Sequence, residues 1–406
     1  VAVARDLPAS GREPAARPLH SKAMKKSCRA SCDKCRQYRS LRCAGAVLAL
    51  LLALSSPLPS LCALLAMTIL PSSATVQLVG CGTVAAFSYG NHLGKHVLYY
   101  FGGLVPPIKA MRKFPDNKRI QHACAHAIGG MSLFANGTMH AAGELGAVEL
   151  VVEINRKWPD DPEMQIGGVH GCFMDFSEVN RARWARAGGM EVNLAAIRNH
   201  YQSASVQFPS WCAFSSGTQE PNQERFAELG GFELAVQVMR DHPTSYRVRE
   251  EVMQSVRAPA TKAAHLRERL AGAGYIEAAV VAMREAPLDM HQQSPGCASL
   301  ALLAFNSEAH RDRCVAAGAV ELALTAVRDF HQMMSPVQWQ YDAQYTVYTD
   351  CLWLLSSLAN NTAGMEQLKR LDAATVISAA MQRGGEANTA LKSLGEHLLQ
   401  RLQSAA

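Results

Sequence analysis

The chain is poor in charged residues. Asp, Glu, Lys and Arg together make up 18% of its 406 residues, and none of them occurs in residues 44–94. Apolar residues account for 49%, which excludes an intrinsically disordered polymer because such chains have few apolar residues and a high net charge. Residues 44–54, at the start of this uncharged segment, are mostly apolar and are followed by Ser and Pro. These eleven residues are too few to cross a bilayer, since a spanning helix needs about 20 apolar residues.

Cysteine is also sparse. Twelve cysteines in 406 residues exclude a small disulfide scaffold, in which cysteines are dense. Four lie in the first 43 residues, and the other eight are spread along segments predicted as helices. A buried cysteine behaves as a small apolar side chain, so this spread favours a reducing interior over a disulfide network. The eight are Cys62, Cys81, Cys124, Cys172, Cys212, Cys297, Cys314 and Cys351.

Charge is distributed unevenly along the chain. Residues 1–43 contain eleven Lys or Arg and three Asp or Glu, so their net charge is +8, whereas that of the whole chain is +6. The remaining residues 44–406 therefore carry −2. A nearly neutral body argues against a nucleic-acid partner, since phosphate binding needs clustered Lys and Arg.

A repeat of 42–44 residues runs through most of the chain. Its marker is a residue, usually Gly, that is followed in most units by Glu three positions later and Arg ten positions later. The first seven markers are 44, 44, 42, 42, 44 and 44 residues apart, and an eighth lies 54 residues further on. This regularity predicts a repeat architecture. The markers are Leu58, Gly102, Gly146, Gly188, Gly230, Gly274, Gly318 and Asp372.

Each unit carries the signals of an amphipathic helix. Glu in the first turn and Arg in the last turn suit the helix dipole, and a Pro thirteen residues after most markers ends the helix. Pro106 and Pro107 intrude in the second unit, so that helix should begin late. Between the ends, apolar residues recur at i, i+3, i+4 and i+7, as in Ile276, Ala279, Val280 and Met283.

Two further helices are expected in each unit. One opens after the Pro turn with an apolar residue followed by Gln, as in Ile120–Gln121 and Val206–Gln207. The other is short and opens the unit. It should begin at an Asn that lies eight to twelve residues before the marker, because Asn is a good N-cap, so each unit consists of the short helix, the helix that follows the marker and the helix that opens with the apolar–Gln pair. The candidate caps are Asn91, Asn136, Asn180, Asn222 and Asn306.

This unit resembles the armadillo repeat, close to the HEAT type. The resemblance covers about residues 58–401, and its last unit is degenerate, as a capping repeat would be. It implies an all-α fold, a right-handed α-solenoid of about seven to eight three-helix repeats. The motifs that carry it are the apolar–Gln pairs and the run Gly230, Gly231, Glu233, Met239 and Arg240.

The resemblance implies a binding function. Stacked units bury one continuous core and leave a long concave surface, which the Gln-bearing helices would line. We therefore expect a non-catalytic scaffold that binds a protein or peptide on this surface, with no cofactor, metal, catalytic residue or nucleic acid. The expected state is a monomer in the cytoplasm, and nuclear or membrane-associated locations are alternatives.

The residues before the repeat allow several interpretations. Residues 1–43 are expected to form a disordered, basic, Cys-containing tail. Residues 44–57 fit a leading helix of the solenoid, a targeting segment or a membrane anchor. The repeat solenoid is expected to occupy residues 58–406.

Four cysteines in the basic tail are candidates for modification. Acyl chains beside a polybasic stretch would form a two-signal anchor, and the chain would then be a membrane-tethered adaptor through residues 22–54. Four thiolates also match the ligand number of a zinc site. The C-x3-C-x2-C spacing is similar to that of radical S-adenosylmethionine enzymes, so an iron–sulfur protein is a further alternative. The lipidation candidates are Cys28, Cys32, Cys35 and Cys43.

Aromatic and polar residues of the Gln-bearing helices are the candidate partner contacts. His126 and His170 each lie 24 residues after a marker, and Trp211 and Trp353 fall at or near the matching place in later units. Aromatic residues are favoured interface anchors, although packing between repeats is the alternative. The candidates are His122, His126, His170, Trp211, Gln254, Trp339 and Trp353.

The step of 54 residues before Asp372 exceeds the usual 44 by ten. The surplus falls near residues 331–341, which include Met333, Met334 and Trp339. An insertion in a repeat array usually forms a loop on one face, so a partner-binding loop is one hypothesis for these residues. A helix extension packed on its neighbour is the other.

Overall fold

The computed structural model describes residues 58–88, 92–132, 136–168, 177–217, 222–330, 338–384 and 389–404. Within these ranges every regular element is an α-helix and no strand forms. None of the described helices is both long and apolar enough to cross a membrane. The predicted tail 1–43 with its four cysteines, the segment 44–57, His170 and residues 331–337 all lie outside these ranges.

The helices follow one another in three repeating classes. The Glu/Arg helices, which follow the markers, are α1 (Leu58–Ile69), α4 (Val105–Lys113), α7 (Ala147–Lys157), α10 (Gly189–Asn199), α13 (Gly231–Asp241), α16 (Tyr275–Glu285), α19 (Ala319–Phe330) and α22 (Ala373–Gly384). The Gln helices, named after a Gln that five of them share, are α2 (Ala74–Ser88), α5 (Lys118–Ser132), α8 (Pro162–Gly168), α11 (Ala204–Gly217), α14 (Tyr246–Lys262), α17 (Met290–Ala304), α20 (Gln338–Leu358) and α23 (Thr389–Ser404). The short helices are α3 (His92–Tyr100), α6 (Asn136–Glu144), α9 (Glu178–Arg186), α12 (Gln223–Glu228), α15 (Ala264–Gly272), α18 (Glu308–Ala317) and α21 (Thr362–Arg370).

The sequence markers coincide with the corners that open the Glu/Arg helices. The six marker glycines have φ between 73° and 93°, and Asp372 has φ of 50°. This left-handed conformation is easy for Gly and strained for other residues. At Gly274 a Cβ would also lie 2.6 Å from Nη2 of Arg240, so any side chain there would displace the end of that arginine. As expected from Pro106 and Pro107, α4 begins three residues after its marker.

A buried Gln side chain, which we call the Gln clamp, joins the two long helices of a unit. In five units its Nε2 donates to two carbonyl oxygens at the end of the preceding Glu/Arg helix. For Gln293 the acceptors are Met283 and Ala286, at 2.7 and 2.9 Å. The Met283 carbonyl cannot receive the usual i+4 donor, because that residue is Pro287, so the clamp replaces the missing donor. The Ala286 carbonyl also accepts from the N–H of Asp289, and the clamp adds a second donor there. The other clamps are Gln77, Gln121, Gln165 and Gln207.

One unit departs from this pattern. Arg249 occupies the clamp position of α14, is almost completely buried and pairs with Glu285 at the end of α16. Its guanidinium carbon lies 5.4 Å from the ring centroid of Tyr246. Nε and Nη2 of Arg249 have no hydrogen-bond partner among the described residues.

The Arg and Glu rows of the repeat join neighbouring units. Arg284 donates through Nη2 to the carbonyl of Ala317, just before the next marker, at 3.1 Å. Glu277 pairs with Arg313 of the next short helix at 2.8 Å. These groups are partly exposed, so each contributes at most about 1 kcal/mol, but together they fix the register of adjacent units. The same contacts recur for Arg112, Arg156 and Arg198 and for the pairs Glu149–Arg183, Glu191–Arg225 and Glu233–Arg269.

Buried apolar side chains form one core that extends from Leu64 to Leu402. Gln helices pack closely on their neighbours, as α5 does on α2 and α17 does on α14 and α20. Successive Glu/Arg helices touch each other much less. An array in which each unit packs on the next is an α-solenoid.

Two of the predicted Asn caps are wrong. Asn180 lies inside α9 and donates to the carbonyl of Met139 in the preceding short helix at 2.8 Å. Asn306 adopts φ of 55° one residue before the true cap. Ser177 and Ser307 cap α9 and α18, since their side chains accept backbone N–H groups. The remaining three are Asn222, which stands at the N-cap position of α12 without a capping hydrogen bond from its side chain, Asn136, which begins α6, and Asn91, which lies outside the described residues.

Two disulfides correct the expectation of a reducing interior. Cys81 bonds to Cys124 and Cys297 bonds to Cys351, with Cα–Cα distances of 4.8 and 4.9 Å. The separations of 43 and 54 residues match one step of the repeat, because side-by-side Gln helices bring equivalent positions together. Among the other described cysteines, Cys62, Cys212 and Cys314 form no disulfide, and Cys172 lies outside the described residues.

The predicted insertion is at least partly helical. α20 has 21 residues, against 15 in α17, and its first turn includes residues 338–341. These four residues therefore follow the alternative of a helix extension. The rest of the expected loop, residues 331–337, lies outside the described part of the chain.

We predict that Gln293→Ala lowers the free energy of unfolding by about 1–3 kcal/mol, because the buried carbonyl of Met283 loses its donor and that of Ala286 loses one of two. Urea unfolding followed by circular dichroism measures the change. Gln237→Ala removes an exposed Gln on α13 and should change the free energy by no more than about 0.5 kcal/mol. Equal losses in the two variants would contradict the clamp.

Peptide mapping without reduction is expected to recover Cys81 linked to Cys124 and Cys297 linked to Cys351. Reduction should then lower the free energy of unfolding by roughly 4 kcal/mol per bridge, because each bridge restricts a long loop of the unfolded chain. A Cys81→Ser variant should lose its share of the response to dithiothreitol, and Cys212→Ser should keep the full response. A chain whose stability ignores dithiothreitol would contradict both bridges.

Candidate partner-binding surface

The exposed face of each Gln helix follows from its clamp. Positions −2, +1, +2 and +5 relative to the clamp lie on the opposite side of the helix, because one turn takes 3.6 residues. On α5 these positions are Arg119, His122, Ala123 and His126, and all four are exposed or half-buried. Since neighbouring Gln helices pack side by side, equivalent positions form rows across the array.

Two candidate residues, His122 and His126, form a ring pair on α5. Their ring centroids are 4.5 Å apart in an edge-to-face arrangement. Burial lowers the pKa of both imidazoles, and the neighbouring His122 lowers the pKa of His126 further. The pair therefore presents neutral rings near pH 7, which can accept or donate hydrogen bonds and stack on a partner.

An aromatic–cation contact links the next faces of the row. Phe208 occupies the +1 position of α11, and the guanidinium carbon of Arg247 on α14 lies 4.7 Å from its ring centroid. Arg247 is exposed and Phe208 is half-buried. A contact of this kind is worth about 0.5–1 kcal/mol at an exposed site, and it holds both groups in place on the surface.

Polar side chains cross from α14 to α20. Nδ1 of His291 on α17 lies 2.8 Å from a carboxylate oxygen of Glu250 on α14. The hydroxyl of Ser294 donates to Asp350 of α20 at 2.6 Å. Burial raises the pKa of Asp350, although the Ser294 bond and the charge of Arg257 act in the opposite direction. This part of the surface is already ordered by its own hydrogen bonds.

Two more of the predicted residues lie on exposed faces. Gln254 occupies the +5 position of α14 and accepts a hydrogen bond from Arg257 at 3.0 Å. Trp353 on α20 is half-buried and packs against the core, one helical turn beyond Asp350. Its exposed edge can therefore contact a partner while the rest of the ring serves the fold.

The prediction for Trp211 is wrong. Its side chain is completely buried, and its indole N–H donates to Oε1 of the clamp Gln207 at 3.1 Å. The ring packs against Phe214 and Phe226 in the core. The exposed position of α11 is Cys212, one residue later, and one residue corresponds to a turn of about 100° around the helix.

The other two predicted contacts cannot be placed on the surface. His170 lies outside the described residues, and Trp339 lies in the first turn of α20. Among the described residues, no group of three or more His, Cys, Asp or Glu side chains could hold a metal ion. The described surface offers rings, amides, carboxylates and guanidinium groups.

Sequence reasoning missed several residues of this surface. Phe208, Glu250 and Ser294 all occupy the +1 position of their helices, and Asp350 joins them through its bond to Ser294. The available signal was the marker: each of these three residues lies twenty positions after its marker, so the exposed positions can be counted without a structure.

No protein-family model matches the chain, and no curated protein matches it. Solved structures of engineered proteins from the Northeast Structural Genomics Consortium are similar to it. One has a TM-score of 0.68 at 15% identity, over 95% of this chain and 97% of the other. Two more have TM-scores of 0.53 and 0.51 at 15% and 16% identity, over 63% and 64% of this chain and 98% and 97% of theirs. At this identity the likeness shows an all-helical repeat fold alone.

The His pair predicts a pH dependence of stability. Because the folded pKa values of His122 and His126 lie below the ordinary value of 6.5, the unfolded chain takes up protons first as pH falls. The free energy of unfolding should therefore decrease below about pH 6.5 and level off once the folded chain is also protonated. Thermal melts between about pH 7 and 5 should show a smaller decrease in a His122→Gln/His126→Gln variant. The exposed His397→Gln serves as the control, and an unchanged slope in the double variant would contradict the effect.

Proposed function

We propose that the chain is a non-catalytic, armadillo-type scaffold that binds a protein or peptide partner along the exposed faces of its Gln helices. Armadillo membership rests on the sequence motifs and is part of the proposal. The row of faces is preformed, so a partner would bind with little ordering of the scaffold.

One observation carries this proposal: the residues that hold the helices together recur from unit to unit, whereas the residues on the exposed face of the Gln helices differ. The clamp position holds Gln in five units, and the markers share one backbone conformation. The exposed +1 position next to the clamp holds a different residue in each of six units. Folding requires the constant positions, so the variation at +1 is best explained by contacts with something other than the fold. The +1 residues are Leu78, His122, Ile166, Phe208, Glu250 and Ser294.

Helix packing supports the Gln helices as the inner row. On a curved stack, elements on the inside of the curve approach each other more closely than elements on the outside. Most neighbouring Gln helices pack more closely on each other than neighbouring Glu/Arg helices do. This difference favours a concave surface lined by the Gln helices, as in the armadillo resemblance.

The surface changes character along the array. The +1 residues Leu78, Ile166 and Phe208 are partly exposed apolar side chains, whereas Glu250 and the neighbouring Asp350 are acidic. A partner segment with apolar side chains at one end and basic or amide groups at the other would match this order. Polar groups on the scaffold would then set the direction in which the segment binds.

A monomer is the proposed state, and the two disulfides make its compartment testable. Cytosolic thiols are kept reduced, whereas secreted proteins keep their disulfides. Trapping thiols in intact cells before lysis should leave Cys297 and Cys351 alkylated if the chain is cytosolic. Unmodified, bridged cysteines would place the chain in an oxidising compartment instead.

The binding surface can be tested with a peptide library displayed on phage and selected on the full chain. Selected peptides should bind a Glu250→Ala/Gln254→Ala variant at least about tenfold more weakly, because loss of paired polar contacts costs over 1 kcal/mol. The matched control is Glu233→Ala/Gln237→Ala on the opposite, Glu/Arg side of the same unit. Peptides that lose affinity only with the control would contradict the proposed surface.

A further inference from the structure

Exposed apolar side chains are concentrated at the first described unit. Among the described residues twelve large apolar side chains are exposed, and seven of them lie between residues 58 and 101. The other five are scattered over residues 179–305. We call five of the seven the terminal patch, and they are 37–54% exposed: Leu65, Ile69, Leu70, Tyr100 and Phe101.

Repeat geometry brings the two halves of this patch together. Phe101 precedes its marker by one residue, and Thr68 follows its marker by ten. In four later junctions the residue at +10 is Arg, and its side chain reaches the carbonyl at −1 of the next unit, as Arg284 reaches Ala317 at 3.1 Å. By the same geometry, the end of α1, with Ile69 beside Thr68, lies on the side of the array that holds Phe101, about one arginine side chain away from that corner. The rings of Tyr100 and Phe101 themselves pack edge to face at 5.7 Å.

The patch replaces a polar surface found on a later Glu/Arg helix. At +3, +7, +10 and +11 from its marker, α13 carries Glu233, Gln237, Arg240 and Asp241, and none of these four side chains is buried. The corresponding residues of α1 are Leu61, Leu65, Thr68 and Ile69. The ionic contacts that join later units cannot form here, and apolar groups occupy the outward face instead.

The surrounding sequence indicates what covers the patch. Residues 44–94 contain no charged residue, and residues 22–43 contain eight Lys or Arg and one Asp. An apolar surface with Tyr beside it suits the boundary between lipid headgroups and acyl chains. A strongly basic segment close in sequence is attracted to anionic headgroups. A protein partner would explain the apolar patch but not this one-sided charge.

We propose that the terminal patch binds the surface of an anionic lipid bilayer, with residues 22–43 adding electrostatic attraction. The apolar side chains enter the interface without crossing the bilayer. This surface lies at the first described unit and is separate from the Gln-helix faces, so the inference stands or falls independently of the proposed partner binding.

Vesicle sedimentation tests the proposal with the full chain. Vesicles of phosphatidylcholine with about 30% phosphatidylserine should bind at least tenfold more protein than phosphatidylcholine alone, and added salt should reduce the difference. A Leu65→Ser/Ile69→Ser/Phe101→Ser variant should bind at least about tenfold more weakly, since three inserted side chains are lost. The control is Val281→Ser/Leu288→Ser/Phe305→Ser, whose residues are equally exposed, at 46–55%, but scattered.

Hydroxyl-radical footprinting of the unaltered chain gives a second readout that does not depend on folding of a variant. Bound vesicles should slow oxidation of Tyr100 and Phe101 by at least about threefold and leave Phe305 unchanged. A chain that ignores the anionic vesicles overturns the proposal. So does a chain that binds them while Tyr100 and Phe101 stay oxidisable, because the basic segment would then bind alone. Dimerisation that the patch substitutions abolish would identify a second copy as the occupant and overturn it as well.

Discussion

The bidentate donation from one Gln amide to two carbonyls fixes how the two long helices of a unit meet, and most of the architecture depends on it. The amide stands nineteen residues after the marker in each of the five units that have it. It donates to two carbonyls at the end of the preceding helix, so rotation of the following helix would break both hydrogen bonds. The side of that helix turned away from the amide is thereby determined, and it carries the residues available to a partner.

Local signals in the sequence were enough to predict the helices. The markers, the Pro stops and the late start caused by Pro106 and Pro107 all act within one or two helical turns, so they can be recognised without knowing the fold. The contacts between units were not predicted in the same way. Glu277 and Arg284 were understood through the helix dipole, but Arg313 and the carbonyl of Ala317 complete their roles from the next unit. The predicted caps Asn180 and Asn306 are wrong because the true caps, Ser177 and Ser307, lie three residues before the first and one residue after the second.

Predicted residues lie on the exposed face of a Gln helix where their spacing from the clamp position is −2, +1, +2 or +5. His122, His126 and Gln254 share the register of exposed positions, whereas Trp211 is one residue away from it and points into the core. The same principle explains the disulfides. Cys81 and Cys124, like Cys297 and Cys351, are one repeat step apart, and only the side-by-side packing of Gln helices turns that separation in sequence into a contact.

Arg249 places a buried charge between two neighbouring units of the array. A long, charged side chain has taken the place of the amide, it reaches forward to Glu285 instead of back to its own unit, and two of its nitrogens are buried without a partner among the described residues. In a linear array, stability is a sum of unit and junction terms, and this junction includes a charge pair in which Arg249 is buried. The segments on either side of this guanidinium, each containing its own cystine, are coupled through that pair, and loss of the Glu285 carboxylate would leave a buried charge without its partner.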